Sequence, residues 1–166
     1  MKHFGIALGS NEGDRPGHLR AAVRWMDALA PDCLLVSRVY ETAPVDCVPG
    51  TPSFLNAVCE ISAAMAPIEM LRLLREFERV RGRKESYLKN SPRPLDLDLL
   101  YADQIVVNTP ELMLPHPRML QRRFVLQPLC DIRPELVLPG RESTIREILA
   151  LLPPDQGVRL HPESAR

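Results

Sequence analysis

An α+β sandwich is the architecture this chain predicts, and three observations carry it. Strand-like and helix-like segments interleave in the order βαββαβ, followed by a smaller tail. Two of the strands follow one another with no helix between them, which calls for an antiparallel pair. The 166 residues are 45% hydrophobic, enough for one real core, so residues 1–166 read as a single domain.

"HFGIALG" (3–9) reads as a short buried strand, ended by the turn-forming "GSNEGD". From Pro16 to about Leu29 the spacing is helical, with Leu19, Ala22 or Val23, Met26 and Leu29 or Ala30 on one face and Pro16 suited to the first turn. "CLLVSRVYET" (33–42) reads as a second strand and "SFLNAVCEIS" (53–62) as a third, joined by the proline-rich loop 43–52. "PIEMLRLLREFERVRG" (67–82) is an amphipathic helix with Met70, Leu73 or Leu74, Phe77 and Val80 inward and Gly82 at its stop. A polar, basic loop precedes a strand at about 94–101, and "IVVN" (105–108) extends the sheet after a turn at Asp103-Gln104. A short helix near 144–152 closes the chain. The order predicts a ferredoxin-like, largely antiparallel sheet with helices on its face and a short C-terminal extension.

Twenty-one basic and 21 acidic residues cancel, so no global field favours nucleic acid or an anionic membrane. No stretch is apolar enough to span a bilayer, and the start has too short an apolar run for a signal peptide. The four cysteines are scattered with no C-x-x-C pair, which reads as a reducing, cytoplasmic setting.

Chemistry concentrates in "RPLDLDLLY" (93–101). On a strand Leu95, Leu97 and Leu99 face one way, and Asp96 and Asp98 face the other, about 7 Å apart. Bare carboxylates so placed repel, which calls for a Mg²⁺ ion shared with substrate phosphates, or for pairing with a base such as Arg93. Arg81, Arg83, Lys84 and Lys89 crowd the preceding loop, and "LPHPRMLQRRF" supplies His116, Arg118, Arg122 and Arg123. Together with the aspartates these cations look like a polyphosphate site, while each arginine taken singly reads as solvated surface. Phe54 and Asn56 share a strand face, as a flat heterocycle would need, or as a core aromatic beside a loop-capping amide would. Arg75 and Glu78 stand three apart on one helix flank, the spacing of a surface ion pair. "LGSN" lacks the G-x-x-x-x-G-K-[ST] pattern, so it is no P-loop.

Five segments, "LGSNEGDR" (8–15), "SRVYETAP" (37–44), "FLNAV" (54–58), "PRPLDLDLL" (92–100) and "LPHPRMLQRRFVLQPLCDI" (114–132), together resemble the 6-hydroxymethyl-7,8-dihydropterin pyrophosphokinases of folate synthesis. They stand in that family's order and spacing. The resemblance implies a ferredoxin-like monomer that transfers pyrophosphate from MgATP to the pterin's hydroxymethyl group and releases AMP. It implies two Mg²⁺ ions on Asp96 and Asp98, and ATP phosphates on Arg93, His116 and Arg122. Glu78 would help hold the nucleotide, and Arg83 matches the first arginine of the catalytic loop. The pterin would lie between Phe54 and Phe124, its edge read by Asn56 and the backbone near Thr42. Glu85 replaces a second loop arginine, Asn90 stands at a tryptophan position of some members, and Ala43 replaces a common proline.

Three other readings compete on the residues alone. A nucleotidyltransferase would keep its Gly-Ser turn close to its D-x-D pair, whereas Gly9-Ser10 lies far upstream of Asp96. The others are a ferredoxin-like nucleotide-binding module without catalysis and a catalytically impaired paralogue.

Overall fold

The computed structural model describes residues 1–44, 49–82, 92–154, 157–163 and 165–166; Arg83 and the rest of the basic loop up to residue 91 lie outside them. β1 (Lys2–Ser10), α1 (Arg15–Leu29), β2 (Leu34–Val36), β3 (Tyr40–Thr42), β4 (Phe54–Ala63), α2 (Pro67–Val80) and β5 (Asp96–Ala102) follow the expected βαββαβ order, with β2 and β3 together in the place of its second strand. β1 is central and antiparallel to both β4 and β5, while β2 and β3 pair in turn with β4. The result is an antiparallel ferredoxin-like sheet with β5 at one edge.

Alternation on β1 sends Phe4, Ile6 and Leu8 to one face, where they meet Leu55, Ala57 and Ile61 of β4 and Leu97 and Leu99 of β5. α1 covers this face with Leu19, Val23 and Met26, and α2 with Met70, Leu71 and Leu74. The two helices touch through Trp25 stacked on Phe77, ring centroids 4.5 Å apart. Asp14 starts α1 by accepting the Gly17 N–H at 3.0 Å.

The single strand expected over 33–42 is two, because residues 37–39 oppose only residues 57 and 58 of β4. Ser37 fills the resulting bulge: its N–H donates to the Val58 carbonyl, and its Oγ accepts from the Val58 N–H.

The opposite face of the sheet is covered by α3 (Arg123–Ile132) and α4 (Ile145–Leu151). Leu100 has no partner between the pairs Leu99–Ile6 and Tyr101–Gly5, so Leu100 and Tyr101 both turn into this second core. A Cβ on Gly5 would lie 2.1 Å from the Tyr101 ring; the glycine makes the room that ring occupies.

A second expectation is corrected. Residues 105–108 do not extend the main sheet: β6 (Val107–Asn108) pairs with β7 (Met113–Leu114) in a separate hairpin. Asp103 adopts φ 46°, and the Ile105 N–H closes a turn onto the Ala102 carbonyl, which carries the chain off the sheet. A further strand, β8 (Val158–Leu160), pairs with β3 as the sheet's sixth strand; no sequence signal announced it.

Candidate active site

Gly9 pairs with Asp96 on one side and with Asn56 on the other. Residues paired across an antiparallel sheet share a face, so the carboxylate and the amide flank a residue with no side chain. Phe54 belongs to the same face, and a Cβ built on Gly9 would lie 3.5 Å from Asn56 Oδ1, 3.7 Å from Phe54 Cδ1 and 3.9 Å from Asp96 Cβ. One row along, Asp98 pairs with Ala7. The D-x-D pair thus lies on the face away from the leucines, as its spacing requires, and both carboxylates are half-buried.

Asn56 is buried, and its Nδ2 donates to Thr42 Oγ1 at 2.8 Å, which orients the amide. Phe124 stands near the start of α3, whose Asp131 accepts from the Tyr40 hydroxyl of β3 at 2.9 Å. Arg122 stands immediately before the same helix and its guanidinium lies 5.4 Å from the Phe124 ring centroid. Burial first, then Arg118, draws the Arg122 guanidinium below its ordinary range, while Asp98 and Asp96 pull it back up.

Arg93 Nη1 lies 3.8 Å from Asp96 Oδ2. Its backbone is clasped by fully buried Asn11: Oδ1 accepts the Arg93 N–H at 2.9 Å, and the Asn11 N–H donates to the Arg93 carbonyl at 3.3 Å. Among the described residues Ser10 Oγ, Asn11 Nδ2, Arg81 Nε and Arg93 Nε are buried without a hydrogen-bond partner. Ser10, Asn11 and Arg93 stand where β1 ends and β5 begins, and Arg81 reaches His18 of α1, its Nη2 2.9 Å from Nδ1. Buried polar groups are costly unless something else accepts from them.

Glu78 departs from the surface-pair spacing. Its side chain is 4% exposed and turns inward, where Oε1 accepts the Leu97 N–H at 2.6 Å. β5 is an edge strand, so this carboxylate takes an otherwise open donor midway between Asp96 and Asp98. Arg75 instead lies 3.9 Å from Glu111. Glu78, Asp98 and His116 line a cavity of about 670 Å³ together with Arg72, Arg75 and Glu111.

His116 is positioned by its own N–H, which donates to the Leu100 carbonyl at 2.7 Å. Its Nδ1 accepts from the Arg118 N–H at 3.2 Å, so the neutral ring carries its proton on Nε2. Burial, then Arg122 and Arg118, hold the imidazole below the usual histidine range, against a smaller opposing pull from Asp96.

Arg123, grouped with the phosphate-facing cations in the sequence, does something else. It donates to the carbonyls of Leu149, Leu152 and Pro153, capping the end of α4. Arg72 and Glu111 carried no sequence signal, and Asn11 reads only as part of the "LGSN" turn; only the pairing of distant segments brings them to the site.

Two carboxylates on one strand face supply hard oxygen donors, and no third histidine, cysteine, aspartate or glutamate joins them among the described residues. That donor set fits Mg²⁺, which keeps most of its coordination for water and phosphate.

Residues 5–134 match the 7,8-dihydro-6-hydroxymethylpterin-pyrophosphokinase (HPPK) family. The chain belongs to that family. It is 41% identical over 128 residues to the 2-amino-4-hydroxy-6-hydroxymethyldihydropteridine pyrophosphokinase of Bacillus subtilis, an alignment covering 76% of this chain and 75% of that one. It is 37% identical over 157 residues to the folic acid synthesis protein fol1 of Schizosaccharomyces pombe, covering 94% of this chain but spanning only 21% of that protein. The fold superimposes on the Plasmodium falciparum HPPK-DHPS wild type with pteroate at a TM-score of 0.69 and 14% identity, covering 90% of this chain and 42% of that one. No helix among the described residues is long and apolar enough to cross a membrane.

Proposed function

We propose that this chain transfers the terminal pyrophosphate of MgATP to the hydroxymethyl group of 6-hydroxymethyl-7,8-dihydropterin and releases AMP, as a step of folate synthesis. One observation carries the reading: Asp96 and Asn56 flank Gly9 on adjacent strands, so the roots of a metal-binding and a heterocycle-reading side chain stand about 10 Å apart on one face. A polyphosphate held at one and a pterin held at the other would meet over β1.

In this reading Phe54 and Phe124 bracket the ring, and Asn56, oriented by Thr42, pairs with its donor–acceptor edge. Asp96 and Asp98 hold two Mg²⁺ ions, which when bound neutralise the triphosphate and orient its β-phosphorus. Arg93, His116 and Arg122 contact the phosphates, with Arg83 of the catalytic loop, while Glu78 forms part of the nucleotide wall as well as fastening β5. The pterin oxygen attacks the β-phosphorus, the bond to the α-phosphate's bridging oxygen breaks, AMP leaves, and the hydroxyl proton passes to water. Acceleration comes mainly from positioning and charge neutralisation. The chain acts as a monomer and as one domain over 1–166, without nucleic acid or membrane as partner. A reducing cytoplasmic setting agrees with the free thiols of Cys33, Cys59 and Cys130.

The test is product analysis with Mg²⁺, ATP and the pterin. Pterin-dependent AMP is expected, falling by about 1,000-fold or more in Asp96→Ala and Asp98→Ala with the fold retained. ADP as product, or strong turnover in either variant, overturns the assignment.

A further inference from the structure

The segment after residue 134 lies beyond the family match, yet its last part is built into the sheet beside the pterin-reading residues. We infer that the C-terminal strand β8 is a positioning element of the pterin subsite, holding β3 so that Thr42 can orient the Asn56 amide. The inference rests on the function proposed above and extends it to residues outside the matched region.

β3 is only three residues long. On one side Thr42 pairs with Phe54 and Tyr40 with Asn56; on the other Thr42 pairs with Val158, Glu41 with Arg159 and Tyr40 with Leu160. Without β8, this short strand would be the sheet's edge at the point where it must hold a buried hydroxyl 2.8 Å from Asn56. Gly157, at φ 67°, turns the chain into β8, and a Cβ there would lie 3.9 Å from that of Ala43, the first residue after β3.

The tail is fastened beyond β8 as well, to β3, α1 and one residue of β2. The His161 N–H donates to the Val39 carbonyl at 2.9 Å, and His161 Nε2 lies 3.8 Å from Glu41 Oε2. Glu163 meets Arg20 at 3.4 Å, Ala165 is 1% exposed within the main core, and Arg166 Nη2 donates to the Leu34 carbonyl at 3.1 Å. A dangling tail would have no reason to bury its penultimate side chain. This one runs antiparallel to β3 in constant register and closes the sheet beside the loop that follows Thr42.

The chain truncated after Pro154 tests this, assayed beside the full chain for both substrates and for amide exchange. The KM for the pterin should rise about ten-fold, with kcat and the KM for MgATP changed by less than about two-fold. Exchange at Glu41 and Asn56 should accelerate, and a synthetic peptide of residues 155–166 should restore both readouts. If the truncated chain does not fold, Arg159→Pro in the full chain serves: the His161 bond to Val39 sets the alternation that turns the residue 159 N–H towards β3. Unchanged pterin KM in a folded variant, or equal loss for both substrates, overturns the inference. Failure of the full chain to form AMP would instead overturn the functional reading, while retained protection at Glu41 would by itself overturn the bracing of β3.

Discussion

Glu78 and Asn11 are polar residues buried at the site for the sake of backbone. Glu78 fastens the Leu97 N–H between the two aspartates, and Asn11 clasps Arg93 by both its backbone N–H and its carbonyl. Glu78→Ala should lower stability by about 1–3 kcal/mol, because a buried donor loses its acceptor, whereas Glu78→Gln keeps an oxygen for it and should lose less. Urea denaturation of both variants checks this; equal losses would mean that the bond contributes little. Asn11→Ala should lower kcat/KM for MgATP about ten-fold or more through displacement of Arg93, with Asn11→Asp, which keeps the accepting oxygen, retaining more activity. Initial-rate kinetics on the two variants decide it. Neither role could be seen in the sequence, since Glu78 reads as half of an i,i+3 pair and Asn11 as a turn residue. Asp96 and Asp98 differ: a period of two in a strand places them together whatever the rest of the chain does.

The elements show the same division. β1 presents Gly5, Ala7 and Gly9 to the face that bears the site, and the two glycines have separate reasons. Gly5 yields to the Tyr101 ring, while Gly9 stands between Asp96 and Asn56 with ordinary contact distances around it. Gly5→Ala should therefore cost about 1–3 kcal/mol through overpacking, and Gly9→Ala should leave the denaturation midpoint nearly unchanged. A denaturation pair in which both fall equally would contradict that geometry. The strands and helices of the βαββαβ core were legible because their apolar periods are long and clean. The break at Ser37, the β6–β7 hairpin and β8 were not, because each depends on which distant strand supplies its partner.

At the scale of the molecule, two half-buried histidines couple folding to pH. His18 is held below its ordinary value by burial and Arg81, and His116 by burial, Arg122 and Arg118. The unfolded chain therefore binds protons first as pH falls through about 6.5, so stability rises with pH across that window and is lost below it. The denaturation midpoint should drop between about pH 7 and about pH 5 in the native chain and drop less in a His18→Gln/His116→Gln double variant. Parallel curves would show that neither histidine contributes.

Local pattern alone determined the α+β class, the order of the core elements, the shared face of Asp96 and Asp98, and the five segments that mark the HPPK family. The first three follow from side-chain period and turn chemistry, which act within a few residues, and the last from the resemblance of those segments to the family's motifs. Tertiary structure decided which groups meet: Asn11 with Arg93, Glu78 with Leu97, Thr42 with Asn56, and Arg123 with the end of α4 rather than with phosphate. It also decided that the C-terminal strand belongs beside β3. Such contacts join residues far apart in the chain, and strand register and helix packing, which no short window contains, select among their partners.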